Sequence, residues 1–266
     1  MALSSTGERR WEMATATAPS IRERLGVKPP ALISKYLNGM IFGEFGVGKT
    51  HLLGTAEDHP ETSPLLILDI DGGVSTLRKR KVDVVPIRSI EEFNEKYQEL
   101  YNSIEDGEMF YKTIGVDTLT EFQSLDISDI MRERYNENPR LDKDVPDQYG
   151  WNKSGAHIRT MVRALRDLPC NTIFTCHLAE VENALKQKEY YPLLPGKMRK
   201  TIPGFLDFVG YMKSEIGEDD EVVRSIQFLK TDKVAAKQRD CGFADMEINP
   251  TIPILWDKLQ AHMKEK

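Results

Sequence analysis

Eight consecutive residues constrain this chain more than any others: Gly43-Glu44-Phe45-Gly46-Val47-Gly48-Lys49-Thr50. They fit the pattern G-x-x-x-x-G-K-[ST]. An apolar run, Tyr36–Phe42, precedes them, and a stretch of helical character runs from Lys49 to about Glu57. Strand, glycine-rich turn and helix in that order make an anion cradle. Glycines let the backbone curl until successive N–H groups point inward at phosphate oxygens. The helix N-terminus adds its partial positive charge. In such a loop Lys49 reaches the β- and γ-phosphates and the Thr50 hydroxyl ligates Mg²⁺. His51 follows directly and is counted with Gly43–Thr50 as nucleotide-binding. Average residue usage produces the pattern by accident in roughly one chain of this length in a hundred. The flanking strand and helix lower that further.

The rest of the chain supplies the fold such a loop needs. Leu65–Ile70 is a continuous apolar run of strand length, as expected for a strand covered on both faces. Tyr111–Asp117 and Thr172–Cys176 read as further strands. Helical spacing occurs over Glu91–Ile104, Leu119–Tyr135 and Trp151–Leu168, with a polar, Pro-bearing loop at 136–150. Strand–helix alternation implies an α/β domain with a mainly parallel sheet. After Pro203 the pattern changes: Phe208–Glu215 and Val222–Lys230 flank a polar turn and read as an antiparallel hairpin. A short helix near Ile254–Met263 follows. Residues 1–30 are expected to be a disordered or flexible N-terminal segment, with Met13 a candidate start, and 31–266 the folded domain.

Composition narrows the function classes. The 266 residues carry 36 basic and 42 acidic side chains, a net charge of −6, so no general positive coat draws the chain to nucleic acid. A local basic stripe is still compatible with that total. No apolar stretch approaches the roughly 20 residues of a membrane-spanning helix. Three cysteines, Cys170, Cys176 and Cys241, are odd in number and sparse, which suits a reducing cytoplasm.

A nucleoside triphosphatase also needs carboxylates. Asp117 ends the strand Lys112-Thr113-Ile114-Gly115-Val116-Asp117 and is placed to hold the Mg²⁺ shell; the alternative is that it caps the next helix. Hydrolysis needs a group to orient or deprotonate water. The residue after Asp117 is Thr118, so the Asp-Glu pair common in ring motors is absent. Asp69 and Asp71 end the second strand, ahead of Gly72-Gly73, where an open α/β sheet presents its ligand site. Asp71 is taken as the water-activating residue, against a plain Asp-Gly turn.

These blocks resemble the RecA-like recombinase ATPases of the AAA-type P-loop superfamily, in particular small single-domain bacteriophage ATPases that act with single-strand annealing. The resemblance rests on GEFGVGKT (43–50), LILDIDGG (66–73), IGVDTLT (114–120), IFTCH (173–177) and TDKVAAK (231–237), together covering roughly residues 36–240. It implies a RecA-like P-loop fold with ATP and Mg²⁺ as cofactors. Asp71 falls where the family has a catalytic Glu, a shorter side chain than expected. His177 matches a polar residue that senses the γ-phosphate, against a structural histidine. Lys233 matches a lysine that reaches a neighbouring subunit's nucleotide, against a solvated charge, with Lys230 and Lys237 as secondary candidates for the same role. Lys49, Asp71, His177 and Lys233 form the expected catalytic set.

In the same family the segment after the fourth strand is a DNA-binding loop. Here it carries Lys186, Lys188, Tyr190, Tyr191, Lys197, Arg199 and Lys200, cations and rings that suit a phosphate backbone and unpaired bases. The alternative is a solvated loop packed on the sheet. The resemblance thus implies a DNA-stimulated, Mg²⁺-dependent ATPase that binds single-stranded DNA and promotes annealing or strand exchange. It implies a homo-oligomer, ring or filament, with a single-stranded DNA-binding protein as a further partner. Such a protein works in the cytoplasm, the host's if phage-encoded. A helicase loader or packaging motor, and a non-hydrolysing nucleotide switch, are the competing readings.

Overall fold

The computed structural model describes residues 20–27 and 36–265. The chain divides into two compact units, Met1–Lys35 and Tyr36–Lys266. In the first, α1 (Ile21–Arg24) is a single helical turn whose Ser20 cap accepts from the Glu23 amide while the Glu23 carboxylate accepts from the Ser20 amide. Met13 and most of the segment expected to be flexible lie outside the described residues.

The second unit is built on one mixed sheet. Its parallel strands are β1 (Asn38–Gly43), β2 (Leu65–Asp69), β3 (Asp83–Pro86), β4 (Thr113–Asp117), β5 (Asn171–Glu182) and β7 (Phe208–Ile216). Antiparallel strands β6 (Lys188–Pro192), β8 (Val222–Gln227), β9 (Lys237–Gln238) and β10 (Met246–Ile248) are added to it. The order is β10-β8-β7-β1-β5-β4-β2-β3, with β6 on β5 and β9 on β7. The expected class, a mainly parallel α/β sheet with an antiparallel C-terminal hairpin, is what the chain forms.

Helices cover both faces. α2 (Lys49–Gly54) and α7 (Ile252–Lys264) lie on one side; α3 (Ile90–Glu105), α4 (Leu119–Glu137) and α5 (Gln148–Arg166) lie on the other. Strand alternation divides the core accordingly. Met40, Phe42, Leu66 and Leu68 join Phe93, Phe122, Ile158 and Leu165. Ile41, Leu65 and Ile67 join Leu52, Leu53, Leu255 and Leu259 on the opposite face. Each such side chain contributes about 1.5–3 kcal/mol by leaving water. That explains why β2 is apolar at every position but its last.

Four helix starts are fixed by local chemistry. The side chains of Ser89, Thr118, Asp147 and Thr251 accept from the amides of Glu92, Glu121, Gly150 and Ile254. The cap of α4 is therefore Thr118 and not Asp117, which leaves the Asp117 carboxylate for other work.

The structure corrects two local expectations. The fourth strand does not stop at Cys176: β5 continues to Glu182 and turns back into β6, so residues 182–192 form a hairpin arm and not a loose loop. The helix after the phosphate loop ends at Gly54 and passes into a 3-10 turn, Thr55–Asp58. Strand β3, four residues ending in proline, carries no sequence signal long enough to read.

Candidate nucleotide site

The site lies where strands end. Parallel register sets Gly43 of β1 beside His177 of β5, and Asp69 of β2 beside Asp117 of β4. Loops leaving β1, β2 and β4 thus converge beside His177, where β5 runs on past them, at the edge where an open α/β sheet places its ligand site. They enclose a cavity of about 360 Å³ lined by the phosphate loop, Asp71, Asp117, His177 and Arg224.

The loop has the backbone its glycines permit. Gly46 and Gly48 have φ of +74° and +107°, the left-handed region that side chains disfavour. Gly48 has a second reason: a Cβ there would lie 2.6 Å from Arg224 Nε. Lys49 is 6% exposed, and its Nζ donates to the carbonyls of Gly43 at 2.9 Å and Glu44 at 2.7 Å. Burial pulls its ammonium below the ordinary range, while the nearby Asp117 carboxylate acts in the opposite sense. Phe45 stands at the loop's outer edge, 88% exposed. Burial lowers the imidazole of His51 below its usual range, and the neighbouring Arg224 and Arg80 add to that.

Asp117 is buried and held from two sides. The Thr50 hydroxyl donates to Oδ2 at 2.6 Å, and the Thr175 hydroxyl donates to Oδ1. Thr50 and Asp117 are therefore adjacent, the arrangement in which a hydroxyl and a carboxylate share one hard cation with phosphate oxygens. The donor set is all oxygen, which fits Mg²⁺.

The two aspartates of β2 divide their roles. Asp69 is buried and its Oδ1 accepts from the Gly72 amide at 2.8 Å, so it shapes the turn. Burial raises its carboxyl above the usual range, with the Gly72 bond opposing. Asp71 is exposed into the cavity, and its amide donates to the Asp117 carbonyl at 3.1 Å. His177 lines the same cavity; its amide donates to Thr120 Oγ1 at 3.0 Å and its carbonyl accepts from Leu193. The β5–β6 arm therefore begins at the cavity wall.

Lys233 is elsewhere. It sits in an exposed turn outside the cavity, with its amide on Thr231 Oγ1 and its carbonyl accepting from the Tyr190 amide. The seven residues expected at nucleic acid do not share one surface. Lys186, at φ +57°, forms the arm's turn, and Lys188 pairs with Glu180 at 2.6 Å. The Tyr190 ring stacks on Tyr211 at 5.3 Å, and Tyr211 stacks on Phe42 at 5.2 Å, so Tyr190 is packed on the sheet. Tyr191 donates to Glu189 at 2.7 Å and lies beneath the Arg199 guanidinium. Arg199 and Lys200 belong to the short helix α6 (Met198–Thr201), with Lys197 at its start.

Two site residues had escaped the sequence. Arg224 on β8 donates from Nε to the Val47 carbonyl at 3.2 Å, across 177 positions of chain. Among the described residues its terminal guanidinium nitrogens have no hydrogen-bond acceptor. Thr175 steers Asp117, and a hydroxyl in an otherwise apolar strand end was the signal for it.

Among solved structures, the chain is similar to the RadB recombinase, at 10% identity, with 82% of this chain and 92% of that one covered and a TM-score of 0.47. No curated protein matches it. Residues 35–240 match the family model described as AAA domain, which spans most of the 266 residues: the chain belongs to this family of P-loop ATPase domains.

Proposed function

We propose that the protein is a Mg²⁺-dependent ATPase that binds single-stranded DNA and promotes annealing or strand exchange as an oligomer. The observation that carries the catalytic half is the convergence of Lys49, Thr50, Asp71, Asp117 and His177 on one cavity. The DNA half rests on the resemblance and on the cations Lys197, Arg199 and Lys200 that follow the β5–β6 arm.

The residues have separable tasks. The amides from Gly43 to Thr50 cradle the phosphates, and Lys49 exchanges its two carbonyl partners for phosphate oxygens. Thr50 and Asp117 hold the metal, which when bound neutralises charge on the phosphate chain. Asp71, open to the cavity, orients and deprotonates the attacking water. Reaction at the γ-phosphate alters what His177 touches, and β5 carries that change into the arm. Catalysis of this kind is positioning and electrostatics.

The test is ATP turnover with magnesium, titrated with single- and double-stranded DNA. Turnover should rise with single strands and vanish in Lys49→Ala. Indifference to any DNA would remove the recombination reading, and nucleotide affinity without turnover would leave a switch. Asp71→Asn separates the steps: it keeps size and hydrogen bonding but cannot take a proton. Its turnover should fall roughly 10²–10⁴-fold with ATP affinity retained. Unchanged turnover would move the base to another residue.

A further inference from the structure

Two cation groups far apart in sequence meet in one place. Arg199 and Lys200 come from α6; Lys230 comes from the stretch between β8 and β9, and Lys237 from β9 itself. Together with Tyr191 they line a second cavity, of about 500 Å³, that shares no lining residue with the nucleotide site. The meeting is built by backbone bonds. The Tyr190 amide donates to the Lys233 carbonyl at 2.7 Å, and the Ala235 amide donates to the Tyr190 carbonyl at 3.0 Å, which fastens residues 233–235 along β6. Tyr191, the next residue, thereby faces the same space as Lys230 and Lys237.

The charge here opposes that of the whole chain. The lining carries four cations and one carboxylate, Asp232, with Glu189 beside Arg199 and Lys200 and Asp207 beside Lys237, so cations still outnumber carboxylates in a protein whose net charge is −6. The cations are also partly ordered in advance. Arg199 lies 5.2 Å over the Tyr191 ring, and its Nε is enclosed with no hydrogen-bond partner among the described residues. Lys237 is half-buried beside Arg239; burial and that neighbour lower its ammonium, and the Asp207 carboxylate acts in the opposite sense.

We propose that this cavity holds backbone phosphate of bound single-stranded DNA, with Arg199, Lys200, Lys230 and Lys237 as its ligands. The site rests on the single-stranded DNA binding proposed above and gives it a location. Its chemistry differs from that of the nucleotide cavity. Long, separately mounted cations beside an aromatic ring suit a singly charged, repeating backbone with adjacent unpaired bases. Lys186 and Lys188, on the arm among Glu180, Glu182 and Glu189, make no part of it.

The experiment is a fluorescence titration of labelled oligo-thymidine at several salt concentrations. The double variant Lys230→Gln/Lys237→Gln should bind about tenfold or more weakly at moderate salt, with log K falling less steeply against log salt by about 1.4, near 0.7 for each phosphate no longer neutralised. Restoring charge with Lys230→Arg/Lys237→Arg should recover both. Lys186→Gln/Lys188→Gln should change neither. Equal melting temperatures exclude a folding cause, and Arg199→Gln gives an independent route to the same weakening. Wild type that binds DNA while the first double variant matches it in affinity and slope overturns the cavity but leaves the DNA reading intact. Wild type that binds no single strand, with or without ATP, ends both. DNA affinity preserved while turnover becomes protein-concentration-limited assigns the cations to a neighbouring copy's nucleotide and also overturns the proposal.

Discussion

At the scale of the residue, Arg224 alters how the phosphate loop is understood. Its Nε is committed to the Val47 carbonyl, and its charge stands against Gly48 and His51 on the cavity wall. A guanidinium anchored by one nitrogen is pre-organised, so little freedom is lost when its outer nitrogens meet an anion. Arg224→Gln keeps a side chain of similar reach and removes the charge. A charge-assisted hydrogen bond at a partly exposed position is worth about 1–2 kcal/mol, roughly five- to thirty-fold in affinity. The dissociation constant for ATP, measured by calorimetry, should rise by that factor with little change in melting temperature. A melting temperature that falls while ATP affinity holds would make Arg224 a buttress of the loop and nothing more. The same scale explains Asp117: with Thr118 capping α4, both its oxygens turn to Thr50 and Thr175.

Among the elements, β1 and β7 decide how closely the site can be assembled. They pair in parallel with Ile41 opposite Gly210. A Cβ on Gly210 would meet Ile226 Cγ2 at 2.4 Å, Phe228 at 2.8 Å and Ile41 Cδ1 at 2.9 Å. These are interior side chains without room to move. Gly210→Ala should therefore lower unfolding stability by about 1–3 kcal/mol in urea melts, through overpacking and not through glycine's chain freedom. A neutral result would mean that β8 can shift on β7, which would also slacken Arg224. The elements that carry the site were legible for a definite reason. Leu65–Asp69 and Thr113–Asp117 are buried on both faces and read as apolar runs ending in a carboxylate. The arm was not legible. Leu178-Ala179-Glu180-Val181-Glu182 alternates weakly and is half-exposed, and Lys188–Pro192 carries charge and proline, so pairing with β5 and the Tyr190–Tyr211 stack form β6 where local propensity would not. Arg224 was beyond reach for the complementary reason: its neighbour in space is set by two strand pairings, β8 on β7 and β7 on β1.

For the whole molecule, the nucleotide cavity and the second basic cavity are joined by β5, which leaves the first at His177 and carries β6 to the second. That layout couples occupancy of one to the shape of the other only if the arm moves as a unit. Lys233 fits neither cavity of its own chain. It is exposed on a turn whose backbone is fixed to Tyr190, so its side chain is presented outward at a held position. A cation displayed in this way and acting on a neighbouring copy's triphosphate makes turnover a property of the assembly, since each competent site then draws on two chains. Lys233→Ala would lack the donated charge while keeping its own phosphate loop; Lys49→Ala would lack the loop's lysine while keeping the charge to donate. Each alone should be nearly inactive. Mixed in equal amounts, they should regain up to about a quarter of wild-type turnover, the fraction of interfaces that unite an intact loop with an intact Lys233 in a randomly mixed homo-oligomer. Turnover of the mixture should also fall on dilution as the copies separate. If the mixture gives only the sum of its parts while both variants assemble like wild type, then Lys233 does not act between copies, and the charge that stabilises the reaction comes from within the chain, with Arg224 already beside the loop to supply it.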